Sequence, residues 1–221
     1  MPYKSDPKAP PTRTGEIIAN SITHGIGVGL SVAGLVTLII RAVRIGSGWH
    51  LAGFLVFGIS LILLYLSSTL YHCFARLPVK AFFQRLDHSA IYFLIAGTYT
   101  PFLFTALRNG WGWSIFSIIW GLALVGLILK LGFKTRFEKP SVWLYLAMGW
   151  AGVIVFWQGM QNMRTISIVF LLLGGLAYSL GVIFYRWRSL RFSHAIWHLF
   201  VLAGSIFHFF SVLNLAPKLI P

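Results

Sequence analysis

Acidic side chains are scarce in this chain of 221 residues. Asp6, Glu16, Asp87 and Glu138 are the full set, against 18 Lys and Arg. Charged residues of both signs make up 10% of the sequence, against about 25% in a soluble domain, so the polar surface that water demands is missing. A soluble globular class is thereby excluded. One cysteine, Cys73, excludes an intrachain disulfide. No apolar stretch shows the in/out alternation of a transmembrane β-strand, which excludes a barrel. The first residues lack the apolar core and small-residue cleavage site of a secretory signal, and no internal repeat is visible.

What the chain does have is apolar length. It is 57% hydrophobic, with a mean hydropathy of +0.80. The runs 17–40 and 51–71 each supply the roughly 20 residues that cross a bilayer as helix. Five more follow at 86–107, 111–130, 141–159, 165–184 and 194–214, separated by short polar or basic stretches such as "RLPVKAFFQR" and "KLGFKTRFEKP". The expected fold is all-α, a seven-helix transmembrane bundle forming one domain over 16–214. A Pro-rich, basic, flexible tail (1–15) precedes it and a short tail (215–221) follows. Counted along alternate connections from the N-terminus, Lys and Arg number thirteen on one side and five on the other. This bias puts the N-terminus in the cytoplasm and the C-terminus outside. The net charge of +14 therefore reflects topology and anionic headgroups, and nucleic acid is not an expected partner.

The polar residues inside these spans are few and gather at one level. Asp87 lies at the entry of the third expected helix, where an ionisable group needs a partner. Helix 2 ends in "SSTLYH" on the cytoplasmic side; helix 3 begins there with Asp87, and helix 7 with His194 and His198. Ser68, His72, Asp87, His194 and His198 thus share one depth and one side. His194 and His198, four residues apart, lie on one helix face with Cβ atoms about 5–6 Å apart, close enough to grip one metal. His72 supplies a third nitrogen, and three histidines leave a fourth tetrahedral position for water, as in catalytic zinc sites. Ser68, a turn before His72, and Asp87 are placed to orient ligands or water, with Asp87 as general base. A purely structural hydrogen-bond cluster is the alternative. Neutral imidazoles also suit iron, copper or nickel.

The other histidines are weaker candidates. His208 lies fourteen residues past His194, about 21 Å along the axis, and cannot share its metal. It is expected to be packed or to face outward. His88 should point about 100° away from Asp87, and His50 falls in the first outer connection. Glu16, Asn20 and His24 recur every four residues on one face of helix 1, with no role assigned. Pro101 predicts a kink and a cavity above Asp87, with Thr98 or Thr100 re-satisfying freed backbone groups.

"EIIANSITH", the spacing from Ser68 to His72, Asp87 within "RLDHSAIYFLIAGTYTP", and the pair His194 and His198 together resemble the bacterial haemolysin III family. That family is grouped with the progestin and adipoQ receptors and, more distantly, the alkaline ceramidases. The resemblance covers Gly15 to about Leu213 and shows no departure at these five site positions. It implies seven helices and a zinc ion on His72, His194 and His198 near the cytoplasmic face of a bacterial inner membrane, with Ser68 and Asp87 as polar partners. The expected function is zinc-dependent hydrolysis of a lipid amide or ester in membrane homeostasis, with membrane lipids as partners. A receptor- or sensor-type regulator with structural zinc and a pore-forming cytolysin are the alternatives.

Overall fold

Water is absent from the bilayer core, so every backbone N–H and C=O must be satisfied within its own segment, and this chain does so with helices. The computed structural model describes residues 14–74, 77–133, 138–157, 160–187 and 189–215. Seven α-helices run through them: α1 (Thr14–Ile45), α2 (Gly48–Cys73), α3 (Leu77–Phe104), α4 (Gly110–Phe133), α5 (Glu138–Trp157), α6 (Thr165–Arg186) and α7 (Ser193–Leu213). There is no strand among the described residues. Most of the expected tails, 1–13 and 216–221, lie outside the described residues.

Five helices, α1, α2, α4, α6 and α7, are long and apolar enough to cross a membrane. Of the other two, α5 is apolar throughout Ser141–Val153. Helix α3 begins at Leu77, nine residues before its expected start, with Pro78 in the first turn where its missing N–H costs nothing. Lys80, Arg85, Asp87 and His88 therefore lie inside the helix and lower its hydropathy. Packing explains why that is tolerated, since α3 lies against α2 on one side and α4 on the other. Ala90, Tyr92, Leu94, Ala96, Tyr99 and Phe102 are all buried. Shielded from lipid, α3 has less need to be apolar.

Helix α1 shows the inverted polarity that a lipid solvent demands. Its exposed face carries Ile18, Ile22 and Ile26 at four-residue spacing, while Asn20, His24, Gly27 and Ser31 face inward. It ends at Gly46, whose φ of 71° is the left-handed cap that glycine supplies without strain. Ser47 then caps α2, so only two residues join antiparallel neighbours. At Gly27 a Cβ would overlap the ring of Tyr65 on α2. That ring has no room to swing, because its hydroxyl donates to Ser205 Oγ of α7 at 2.7 Å. Gly27→Ala is expected to cost about 1–3 kcal/mol through overpacking, seen as a lower thermal-unfolding midpoint of the purified protein.

Near Pro101 the hydroxyls of Thr98 and Thr100 bond to Leu94 O at 2.7 Å and Ala96 O at 2.8 Å. Each satisfies the carbonyl four residues before itself and not Gly97 O, the one that Pro101 leaves without its usual donor. Packing of α1 on α7 closes the bundle, and α5 is tied to α3 by Tyr145 Oη, which donates to His88 O at 2.9 Å.

Candidate metal centre

The last turn of α2 carries His72, and the first two turns of α7 carry His194 and His198. One ring nitrogen from each lies within 4.8 Å of the others. Ring centroids are 4.5 Å apart for His194–His198, 5.3 Å for His72–His194 and 5.2 Å for His72–His198. In all three rings Nε2 is buried and makes no hydrogen bond. Three unpartnered buried nitrogens side by side are costly unless something binds them, and a metal cation satisfies all three at once. The residues therefore fit a metal ion.

The tautomer of His198 supports the same arrangement. Its Nδ1 is 3.2 Å from Thr23 Oγ1 on α1. That hydroxyl donates to the backbone carbonyls of Ala19 at 2.9 Å and Asn20 at 3.0 Å, so it accepts from His198 Nδ1–H. Nε2 then carries the lone pair, as a metal ligand requires. Thr23→Val keeps the shape but loses the acceptor. Metal affinity is expected to fall about 10–100-fold in a competitive chelator titration.

The entry of α7 is held from α1. Phe192 precedes α7 in a left-handed conformation, φ 59° and ψ 16°, which bulky side chains rarely adopt. Its N–H donates to Glu16 Oε1 at 3.3 Å. Glu16 thus fixes the turn that presents both histidines. One turn beyond Asn20, His24 lies buried with its ring stacked on His198, centroids 3.5 Å apart at 20°. Neither ring nitrogen of His24 has a partner, nor does Asn20 Oδ1.

Asp87 is buried on α3 beside Ser68 of α2. The Ser68 hydroxyl interacts with that carboxyl, but its Oγ makes no well-formed hydrogen bond. Asp87, His24 and His194 line one cavity of about 320 Å³, within the range of small-molecule sites. Its wall is mostly apolar and climbs past Ile91, Leu94 and Thr98, where a cavity was expected above Asp87. His88 and Lys130 line it too. His208 lines the far end, packed against Tyr178. His50 stands apart, its Nε2 2.8 Å from Leu215 O, where it ties the start of α2 to the end of the described chain.

Sequence reasoning assigned no role to Thr23, Glu16 or His24. The spacing of Glu16, Asn20 and His24 signalled one inward face. Nothing in the sequence indicated which helix that face meets.

Together these features define a multi-pass helical membrane protein with a buried three-histidine cluster at one end and an apolar cavity leading from it. A family model described as "Haemolysin-III related" matches residues 14–209. The chain belongs to that haemolysin III-related family. It is 49% identical to a hemolysin-3 homolog of Bacillus subtilis (strain 168), over 92% of this chain and 95% of that protein. Hemolysin-3 of Bacillus cereus is 50% identical over 90% of each chain. A human relative, monocyte to macrophage differentiation factor, is 30% identical over 71% of this chain and 67% of its own length.

Proposed function

We propose that the protein is a zinc-dependent hydrolase of lipid amides or esters in the bacterial inner membrane. In this reading His72, His194 and His198 hold the zinc, and residues 16–214 form one domain with the N-terminus in the cytoplasm. The observation that carries the reading is the set of three buried, unpartnered Nε2 atoms beside a cavity with mostly apolar walls. Bulk water does not explain such a cavity; a lipid chain does.

Zinc bound there supplies Lewis acidity toward a carbonyl and makes water nucleophilic near neutral pH. The chain's own residues do the rest. The apolar wall excludes water from the scissile bond except at the histidine end and holds the acyl chain along the bundle. A carboxylate oxygen of Asp87 takes the proton from the attacking water and returns it to the leaving nitrogen or oxygen. Ser68, whose hydroxyl lies against the Asp87 carboxyl, keeps that carboxyl in position. The products are a fatty acid and an amine or alcohol, so atoms and protons balance without any further reactant.

Metal content by mass spectrometry, followed by turnover of ceramides and other lipid amides, tests the reading. About one zinc per chain together with acid release supports it. Stoichiometric zinc without turnover of any lipid amide or ester, and with a large loss of thermal stability on chelation, would instead make the metal structural, as in a receptor-type regulator.

A further inference from the structure

Helix α4 turns one stripe of residues toward the bundle, and the stripe ends in a cation. Ile119, Ala123, Gly126 and Lys130 recur at helical spacing and are all buried. Tyr92 of α3 packs on Gly126, so this stripe faces α3. Lys130 stands in the last turn and is only 6% exposed, so it does not reach out to the headgroups as lysines at helix ends do. A short connection makes α4 antiparallel to α3, which brings its last turns beside the first turns of α3, where Asp87 and His88 sit. Among the described residues of α4, Lys130 alone lines the cavity. The helix itself is set back, and a long side chain bridges the gap. The Lys130 ammonium lies within electrostatic range of the His88 ring, and that ring is within range of His194. Both histidines line the same cavity, so the charge stands at its polar end, near the metal centre. An ammonium has three N–H donors, and a partner within the protein still leaves donors for a ligand. Ionisable groups held inside a membrane bundle mark substrate paths.

We propose that Lys130 is a specificity residue that binds an anionic group, carboxylate or phosphate, on the amine or alcohol part of the lipid. The proposal rests on the reading above, in which a lipid amide or ester is cleaved at the histidine cluster. Its direction follows from the cavity walls. Past Ile91, Leu94 and Ile95 the walls are apolar and take the acyl chain, which leaves the head of the substrate beside Lys130. No other lysine or arginine lines the cavity. A neutral head offers hydroxyls, which need no cation. An anionic head forms charge-assisted hydrogen bonds with the ammonium, in a site where low dielectric strengthens the pair. Hydrolysis of such an amide adds water to the acyl carbon, breaks the C–N bond and returns the proton to the leaving nitrogen. The amine then departs with its anion, as glycine does from an N-acyl glycine.

The test uses the full-length protein in nanodiscs of neutral phosphatidylcholine and the palmitoyl amides of ethanolamine, glycine and phosphoethanolamine. Their heads are neutral, a carboxylate and a phosphate. Binding is measured with ketomethylene analogues, in which CH2 replaces the amide N–H so that the scissile bond is gone, competing with the radiolabelled neutral analogue. Release of palmitate is measured with the amides themselves. At least one anionic analogue is expected to bind about tenfold more tightly than the neutral one, and the tighter of the two names the head group. Lys130→Met removes that advantage and Lys130→Arg retains it. Equal binding of all three analogues would overturn the proposal, and release of palmitate would then leave the hydrolase reading standing. An advantage that survives Lys130→Met would also overturn it. Should Lys130→Met not fold, salt decides. An advantage kept in about 0.5 M salt supports the buried ammonium, and one that vanishes there belongs to surface charge and overturns the proposal. Preference for an anion without release of palmitate from any amide would keep the subsite and overturn the hydrolase. If no analogue binds, both readings fall.

Discussion

Replacing either His194 or His198 by alanine is expected to reduce bound zinc from about one per chain to a trace, with affinity falling well over 100-fold. The magnitude follows from coordination. Loss of a group that merely orients a ligand costs about 10–100-fold in metal affinity, and loss of one of three ligands must exceed that. The two variants differ in what they leave behind. His198 is fully buried, stacked on His24 and bonded to Thr23, so its removal also opens a void between α1 and α7. His194 is less tightly enclosed. His194→Ala should therefore lose the metal with the smaller loss of thermal stability, and metal analysis with unfolding curves on the same samples separates the two effects. Wild-type zinc content in both variants would remove the cluster from consideration as a metal site.

The second large effect is expected at Asp87. Asp87→Asn preserves the shape of a side chain that is 5% exposed and leaves the three histidines untouched. An amide cannot take up the proton that hydrolysis of a lipid amide releases. Turnover should fall by about 10²–10⁴, the usual contribution of a general acid–base group, while zinc stays at the wild-type level. That combination distinguishes a catalytic carboxylate from a structural one. Loss of zinc along with activity would mean that Asp87 serves to hold the metal site together. Unchanged turnover would exclude it from proton transfer.

The apolar runs were legible because a bilayer sets their length, and no other solvent makes 20 consecutive apolar residues the natural unit. Their edges were less so. The start of α3 was hidden because "LPVKAFFQR" is polar enough to read as a connection, yet it forms helix through its own backbone bonds. The meeting of His72 with His194 and His198 followed from the parity of the spans, which brings the end of helix 2 to the same side as the start of helix 7. The contacts of helix 1 were not legible at all. Whether the Glu16–His24 face meets α2, α3 or α7 depends on the rotation of α1 and on its place in the ring of helices. Sequence order supplies neither. The stack of His24 on His198, the hydrogen bond that His198 donates to Thr23 and the grip of Glu16 on Phe192 all depend on that placement. His208, expected to be packed or to face outward, is packed against Tyr178; that it also lines the cavity was not legible.

The closure of the ring by α7 sets the order of events during synthesis. His72 is made 122 residues before His194. At about 5–20 residues per second, roughly 6–24 seconds separate the first ligand from the second. During that interval α1 and α2 can pair, but the inward faces of both still lack the helix that covers them. The nitrogens that fit a metal come together only when the last helix arrives. A chain truncated before α7 has one histidine of the three, so a metal held by all three requires that α7 has been made and has found its place between α1 and α6.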